Sequence, residues 1–135
     1  MNLERILKQH KEILELSNKL EEYINKLEVQ NSDKNLLSEI LLKKSFLMGK
    51  LKVHLLTEEI YFNNLQIYNK QEYKEIINKM NELPNKIKEF DQIYKNISTI
   101  KENLYSFIIQ LRDILYNLKN RISIENQNIY SKIEK

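Results

Sequence analysis

The chain contains no cysteine, which excludes disulfides, thiolate metal sites and cysteine nucleophiles. Glycine and proline occur once each, as Gly49 and Pro84. Sheets and tight turns draw heavily on both, so their scarcity predicts long helices joined by short loops. Alanine is absent too, while Asn, Lys and Ile abound; that bias reads as genome-wide base composition and carries no functional weight. The start, Met1-Asn2-Leu3-Glu4-Arg5, is amphipathic and lacks the apolar run of a signal peptide. No stretch approaches the ~18 apolar residues needed to span a bilayer. The expectation is a soluble cytoplasmic protein with no membrane partner.

A strong charge of one sign is also missing. The formal net charge of +3 arises from 22 basic and 19 acidic residues interleaved along the chain. The densest basic spots are only Lys43-Lys44 and Lys50 with Lys52. Nucleic-acid binders gather positive charge on one face, so these lysines read as solvated helix faces and no nucleic-acid partner is expected.

What is present is helical periodicity. The 135 residues suit one domain, 1–135, large enough for a real core. Apolar spacings of three and four mark four segments. Helix A covers roughly 2–29, with Leu3, Ile6, Leu7, Ile13, Leu20, Ile24 and Leu27 in one stripe. A polar break at 31–33 offers good N-cap residues. Helix B, roughly 34–67, turns Leu37, Ile40, Leu41, Leu47, Leu51, Phe62 and Leu65 inward. A second break falls at 69–70. Helix C carries Tyr73, Ile76, Ile77, Met80, Leu83, Ile87, Phe90 and Ile93, with a kink or short break expected at Pro84. Ser98 or Thr99 caps helix D, which runs to about 133 through Leu104, Ile108, Leu111, Leu115, Leu118, Ile122 and Ile129. Short connections favour antiparallel neighbours, hence an all-α, up-down-up-down four-helix bundle.

Two halves of the chain match weakly. His10-Lys11-Glu12-Ile13-Leu14 in helix A parallels Tyr73-Lys74-Glu75-Ile76-Ile77 in helix C. The run from Leu51 to Glu58 in helix B parallels that from Leu118 to Glu125 in helix D. His54 thereby aligns with Arg121, and Glu58 with Glu125.

Polar residues interrupt the apolar stripes at these places. His10 continues the Leu3, Ile6, Ile13 stripe; His54 and Glu58 continue Leu47 and Leu51; Arg121 and Glu125 continue Leu111 and Leu118. A buried carboxylate without a partner is costly, so these groups should meet one another or a cation. An up-down-up-down bundle brings all of them, with Tyr73, to one end. Two imidazoles and two carboxylates suit Fe, Mn or Zn. His54 and Glu58, one turn apart, can point at one ion.

His10, with His54-x3-Glu58 and the following Glu59-Ile60-Tyr61, resembles the first half of the hemerythrin-like, or HHE cation-binding, pattern. The resemblance covers nearly the whole chain in helix order and spacing, on few motif residues. It implies a four-helix bundle in which His10, His54, Glu58 and Glu125 serve one iron. Tyr73 and Arg121 stand where the family's third and fourth helices supply histidines, so the ligands of a second iron are lost. Reversible dioxygen binding uses two irons in this family, and that activity is not expected here. Arg121 cannot ligate a cation or give up its proton, but it can bridge Glu58 and Glu125 in place of the second ion.

Two readings of the layer follow: a site for at most one metal ion, or a metal-free ionic cluster. The first implies a non-enzymatic protein of metal, oxygen or redox sensing or storage, with a small diatomic ligand possible. The second implies a metal-free bundle acting by protein contact or as a homodimer, for which an exposed apolar stripe would speak. A ferritin-like oxidase is disfavoured, since His54 has Leu51 three residues before it where a glutamate would be needed. The remaining tyrosines, Tyr130 among them, read as packing residues, and Glu59 faces solvent. No Ser-His-Asp set, glycine-rich phosphate loop or metalloprotease motif occurs.

Overall fold

In the helix α1 (Asn2–Val29), inward places recur at alternating steps of three and four. Leu3, Ile6, Ile13, Leu20, Ile24 and Leu27 fill them and are buried, and His10 and Ser17 occupy the two that remain. A computed structural model describes residues 2–29, 34–65, 78 and 82–130 of the chain. The other described elements are α2 (Lys34–Leu65), α3 (Glu82–Ile93), α4 (Ile97–Glu102), α5 (Leu104–Glu125) and a π-helical turn, Asn126–Tyr130. Among the described residues there is no strand, and no helix is long and apolar enough to cross a membrane.

Pairings along the helices set their directions. Gln9, early in α1, donates to Thr57 Oγ1, late in α2, while Lys50 reaches Glu12 at 3.1 Å. As α1 is followed downward from Glu28, its α5 partners rise in number: Arg112 binds Glu28, Lys119 binds Glu21 at 2.9 Å, and Glu125 meets His10. Helix α1 is therefore antiparallel to both α2 and α5. The buried Lys44 of α2 pairs with Asp91 of α3 and lies over the Phe90 ring. Phe90 and Tyr94 in turn pack on Phe107 of α5, with ring centroids 5.5 and 5.3 Å apart. One apolar core results, in which Ile13, Leu20, Leu47, Leu111 and Leu115 are buried together.

Several local expectations are corrected. Helix D is two helices. Asn96, not Ser98 or Thr99, is the N-cap of α4, its side chain accepting from the Thr99 N–H at 2.9 Å. The break falls at Asn103, whose backbone and side-chain N–H groups both turn back to α4 carbonyls. Ile93 is not inward but 54% exposed, and Tyr94 takes the buried place one turn after Phe90. The expected breaks at 31–33 and 69–70, residues Tyr73, Ile76, Ile77 and Met80, and the side chains of Leu65 and Ile129 lie outside the described residues. Pro84 lies within α3, and the expected kink or break before it falls on residues outside the described ones.

Candidate metal centre

Antiparallel packing brings the start of α1 to the ends of α2 and α5, and with them four ligand-type side chains. His10, His54, Glu58 and Glu125 are all at most 2% exposed. One ligand atom from each lies within 4.8 Å of all the others. His10 Nε2 is 3.0 Å from Glu125 Oε1 and 3.7 Å from Glu58 Oε2. His54 Nε2 is 3.3 Å from Glu58 Oε1 and 3.8 Å from Glu125 Oε1.

Both imidazoles are held from behind. Nδ1 of His10 is 2.9 Å from the Asn126 side-chain oxygen, and Nδ1 of His54 is 2.8 Å from that of Gln9. An amide oxygen only accepts, so each Nδ1 carries a proton and each Nε2 faces the carboxylates, where it holds a second proton or, when neutral, offers its lone pair to a cation. Metal-binding histidines are commonly oriented this way, by a polar group on the ring nitrogen away from the ion.

Arg121 closes the cluster on one side. Its Nε donates to Glu125 Oε2 at 2.7 Å, and its Nη2 stands 3.5 Å from Glu58 Oε1. Tyr130 closes another: its hydroxyl donates to Glu58 Oε2, and its ring stacks on Phe62 at 6.0 Å between centroids. Tyr130 reaches this place because the chain leaves α5 in a π-helical turn. On a continued α-helix the residues three and four after Glu125 would share its face; the wider turn presents the fifth instead.

Burial disfavours charge on these imidazoles, yet the two carboxylates more than reverse it, raising His10 from 6.5 to about 9 and raising His54 as well. Burial likewise disfavours the Glu58 carboxylate, but the His10 and His54 imidazoles that face it hold it well below the usual range. The Tyr130 phenol is pushed up, first by burial and then by the Glu58 and Glu125 charges, so it remains a proton donor.

The donor set fits a single cation. His54 Nε2 and Glu58 Oε1 are buried and face each other at 3.3 Å, yet neither makes a well-aligned hydrogen bond among the described residues. A lone pair facing a carboxylate oxygen in a dry interior is repulsive unless a proton or metal ion lies between them. Two imidazole nitrogens and two carboxylate oxygens suit first-row divalent ions such as Fe, Mn or Zn. Arg121, beside both carboxylates, offers no lone pair to a cation.

Four of the six residues singled out in the sequence thus converge as ligand-type groups, and Arg121 joins them as the bridge between Glu58 and Glu125. Tyr73 lies outside the described residues. Glu59 is exposed, as expected. Sequence reasoning missed Gln9, Asn126 and Tyr130. Gln9 and Asn126 adjoin His10 and Glu125 in sequence, but the three- and four-residue spacing that marks a face says nothing about immediate neighbours.

Buried polar clusters of this composition, facing inward from three helices, define a class of helical cation-binding domains. The chain belongs to one such family, the hemerythrin HHE cation-binding domain, whose model matches residues 1–133. Comparisons with curated proteins and with solved structures return no match.

Proposed function

We propose that this is a non-enzymatic, cytoplasmic hemerythrin-like protein, an up-down-up-down four-helix bundle whose site holds at most one metal ion, iron first and manganese or zinc as substitutes. His10 and His54 would supply nitrogen through Nε2, and Glu58 and Glu125 oxygen. The observation that carries this reading is the convergence of four buried ligand atoms within 4.8 Å of one another, in which His54 Nε2 and Glu58 Oε1 face each other at 3.3 Å. A bound ion would supply Lewis acidity and, if iron, a one-electron couple. The chain's own residues orient the ligands through Gln9 and Asn126, neutralise charge through Arg121, and hold a proton at the Tyr130 hydroxyl. A role in metal, oxygen or redox sensing or storage, with a small diatomic ligand, rests on family analogy.

A second reading has its own observation. Arg121 already spans both carboxylates, and a proton on His10 would complete the balance without metal. The protein would then act through its surface, as a metal-free bundle in protein contact. Elemental analysis after anaerobic incubation with ferrous iron, beside a His54→Ala control, separates the two. About one iron per chain, lost in the control, supports the metal site. No metal in either protein sinks it and leaves the ionic layer as structure.

A further inference from the structure

Helix α2 is apolar on two opposite faces. Leu37, Ile40, Leu47, Leu51 and Phe62 point into the core. On the far side Leu42, Phe46, Val53, Leu56 and Ile60 are each more than half exposed, Phe46 and Ile60 at 59%. With Gly49 these residues form the series 42, 46, 49, 53, 56, 60, in alternating steps of four and three. That is the seam spacing of paired helices. At 100° per residue the seam lies opposite the core stripe, so nothing in the core's own packing accounts for it. Exposed Ser38 and Glu39 bound it at one end, Asn63 and Asn64 at the other.

The seam is complementary to itself. Its members are placed symmetrically about residue 51, so a second α2 laid antiparallel across it sets Leu42 against Ile60, Phe46 against Leu56, and Gly49 against Val53. A parallel pairing would instead set Gly49 against Gly49 and leave a gap. Nothing lies within 4 Å of where a Cβ on Gly49 would be. Beside it opens a surface cavity of about 350 Å³ between α1 and α2, lined in part by Ile13, Phe46, Gly49 and Val53. The hollow stands where the antiparallel pairing would deliver the opposing Val53.

The size suits a dimer of modest strength. The seam is about 27 Å long at ~1.5 Å per residue. Five half-exposed apolar side chains at roughly 80 Å² each give about 400 Å² of apolar surface per copy. The flanking residues would bring this toward the ~600 Å² per partner at the lower limit of specific interfaces. Lysines flank the centre: Lys50 is paired with Glu12 in its own chain at 3.1 Å, and Lys52 is exposed. In a symmetric dimer like charges meet near the axis, so added salt should tighten association.

We propose that the outer face of α2 is a self-association surface, which pairs antiparallel about residue 51 with the same face of a second copy of this chain. The surface lies on the opposite side of α2 from His54 and Glu58 and does not depend on whether metal binds.

Sedimentation equilibrium over a dilution series tests it. The expected result is a species of twice the 16.4 kDa chain mass, tightening as salt rises. Phe46→Glu and Leu56→Glu should each weaken it by about 100-fold, as loss of a central anchor does, with helix content unchanged by circular dichroism. Tyr105→Glu, on the exposed face of α5, should leave it intact. The cysteine-free chain also allows a geometric check: Lys52→Cys should oxidise to a disulfide-linked dimer, and Tyr105→Cys should not. A monomer at every concentration, a dimer indifferent to Phe46→Glu, or equal cross-linking by both cysteine variants overturns the proposal. So does a monomer that binds anionic vesicles through Phe46, which would assign the seam to a lipid surface.

Discussion

Arg121 Nε donates to Glu125 Oε2 at 2.7 Å across one turn of α5, while the same guanidinium stands 3.5 Å from Glu58 Oε1 on α2. One permanent cation thus answers two buried carboxylates. Arg121→Leu should destabilise the metal-free protein by about 3–5 kcal/mol, because it strands buried charge. Arg121→His replaces the fixed cation by a ligand, and should raise the metal bound per chain after ferrous loading. Unchanged metal content in Arg121→His would count against the alignment of Arg121 with a ligand place.

Tyr130→Phe keeps the ring stacked on Phe62 but removes the hydroxyl that donates to Glu58. The expected cost is about 1–3 kcal/mol of stability in the metal-free protein, since Glu58 is buried and loses a donor. Metal affinity should fall about 10-fold, the usual scale for a group that positions a ligand. Urea unfolding and a competition titration read these out. A variant matching wild type in both would show the contact to be incidental.

The site makes stability depend on pH. Folded His10 holds its proton up to about 9, against an ordinary value of 6.5. Its contribution to metal-free stability is therefore complete below about pH 6.5 and is lost as pH climbs to about 9, at most roughly 3 kcal/mol. Glu58 acts in the opposite sense: its depressed value gives stability present above its ordinary 4.5 and lost in more acid solution. A bound cation needs the imidazoles neutral, so metal affinity should strengthen over the same rise from 6.5 to about 9. Thermal unfolding with and without metal, from pH 5 to 9, checks both trends. A flat metal-free profile would remove His10 from the ionic layer.

Ser17 occupies an inward place of α1, fully buried, and its hydroxyl has no hydrogen-bond partner among the described residues. Ser17→Ala should stabilise the protein by about 1 kcal/mol, since it removes an unsatisfied polar group and raises helix propensity. A loss of stability in denaturant unfolding would mean that the hydroxyl is satisfied after all.

Helix type and inward face were readable in α1 and α2 because both depend on periodicity, a property of the chain itself. The scarcity of glycine and proline pointed the same way. The polar interruptions His10, His54, Glu58, Arg121 and Glu125 were legible for the same reason: a polar side chain on an apolar stripe must be buried wherever the stripe is. The short α4, capped by Asn96, was not foreseen, because Asn96, Ser98 and Thr99 are all good capping residues and only the backbone path selects among them.

By itself, then, the sequence determined a helical chain with a polar layer of two imidazoles, two carboxylates and a guanidinium, since burial of each follows from spacing along its own helix. Tertiary structure alone decided which atoms meet. Whether Arg121 reaches Glu58, and whether Gln9 and Asn126 stand behind the histidines, depends on the stagger between helices, which no single helix encodes. Tyr130 enters the site through a π-helical turn that shifts the register by one residue, a choice made by packing against Phe62 and Glu58. The exposed seam on α2 shows the same division. Its three- and four-residue spacing is written in the sequence, but that no described element of the same chain covers it was decided by how the helices pack, which no single helix encodes.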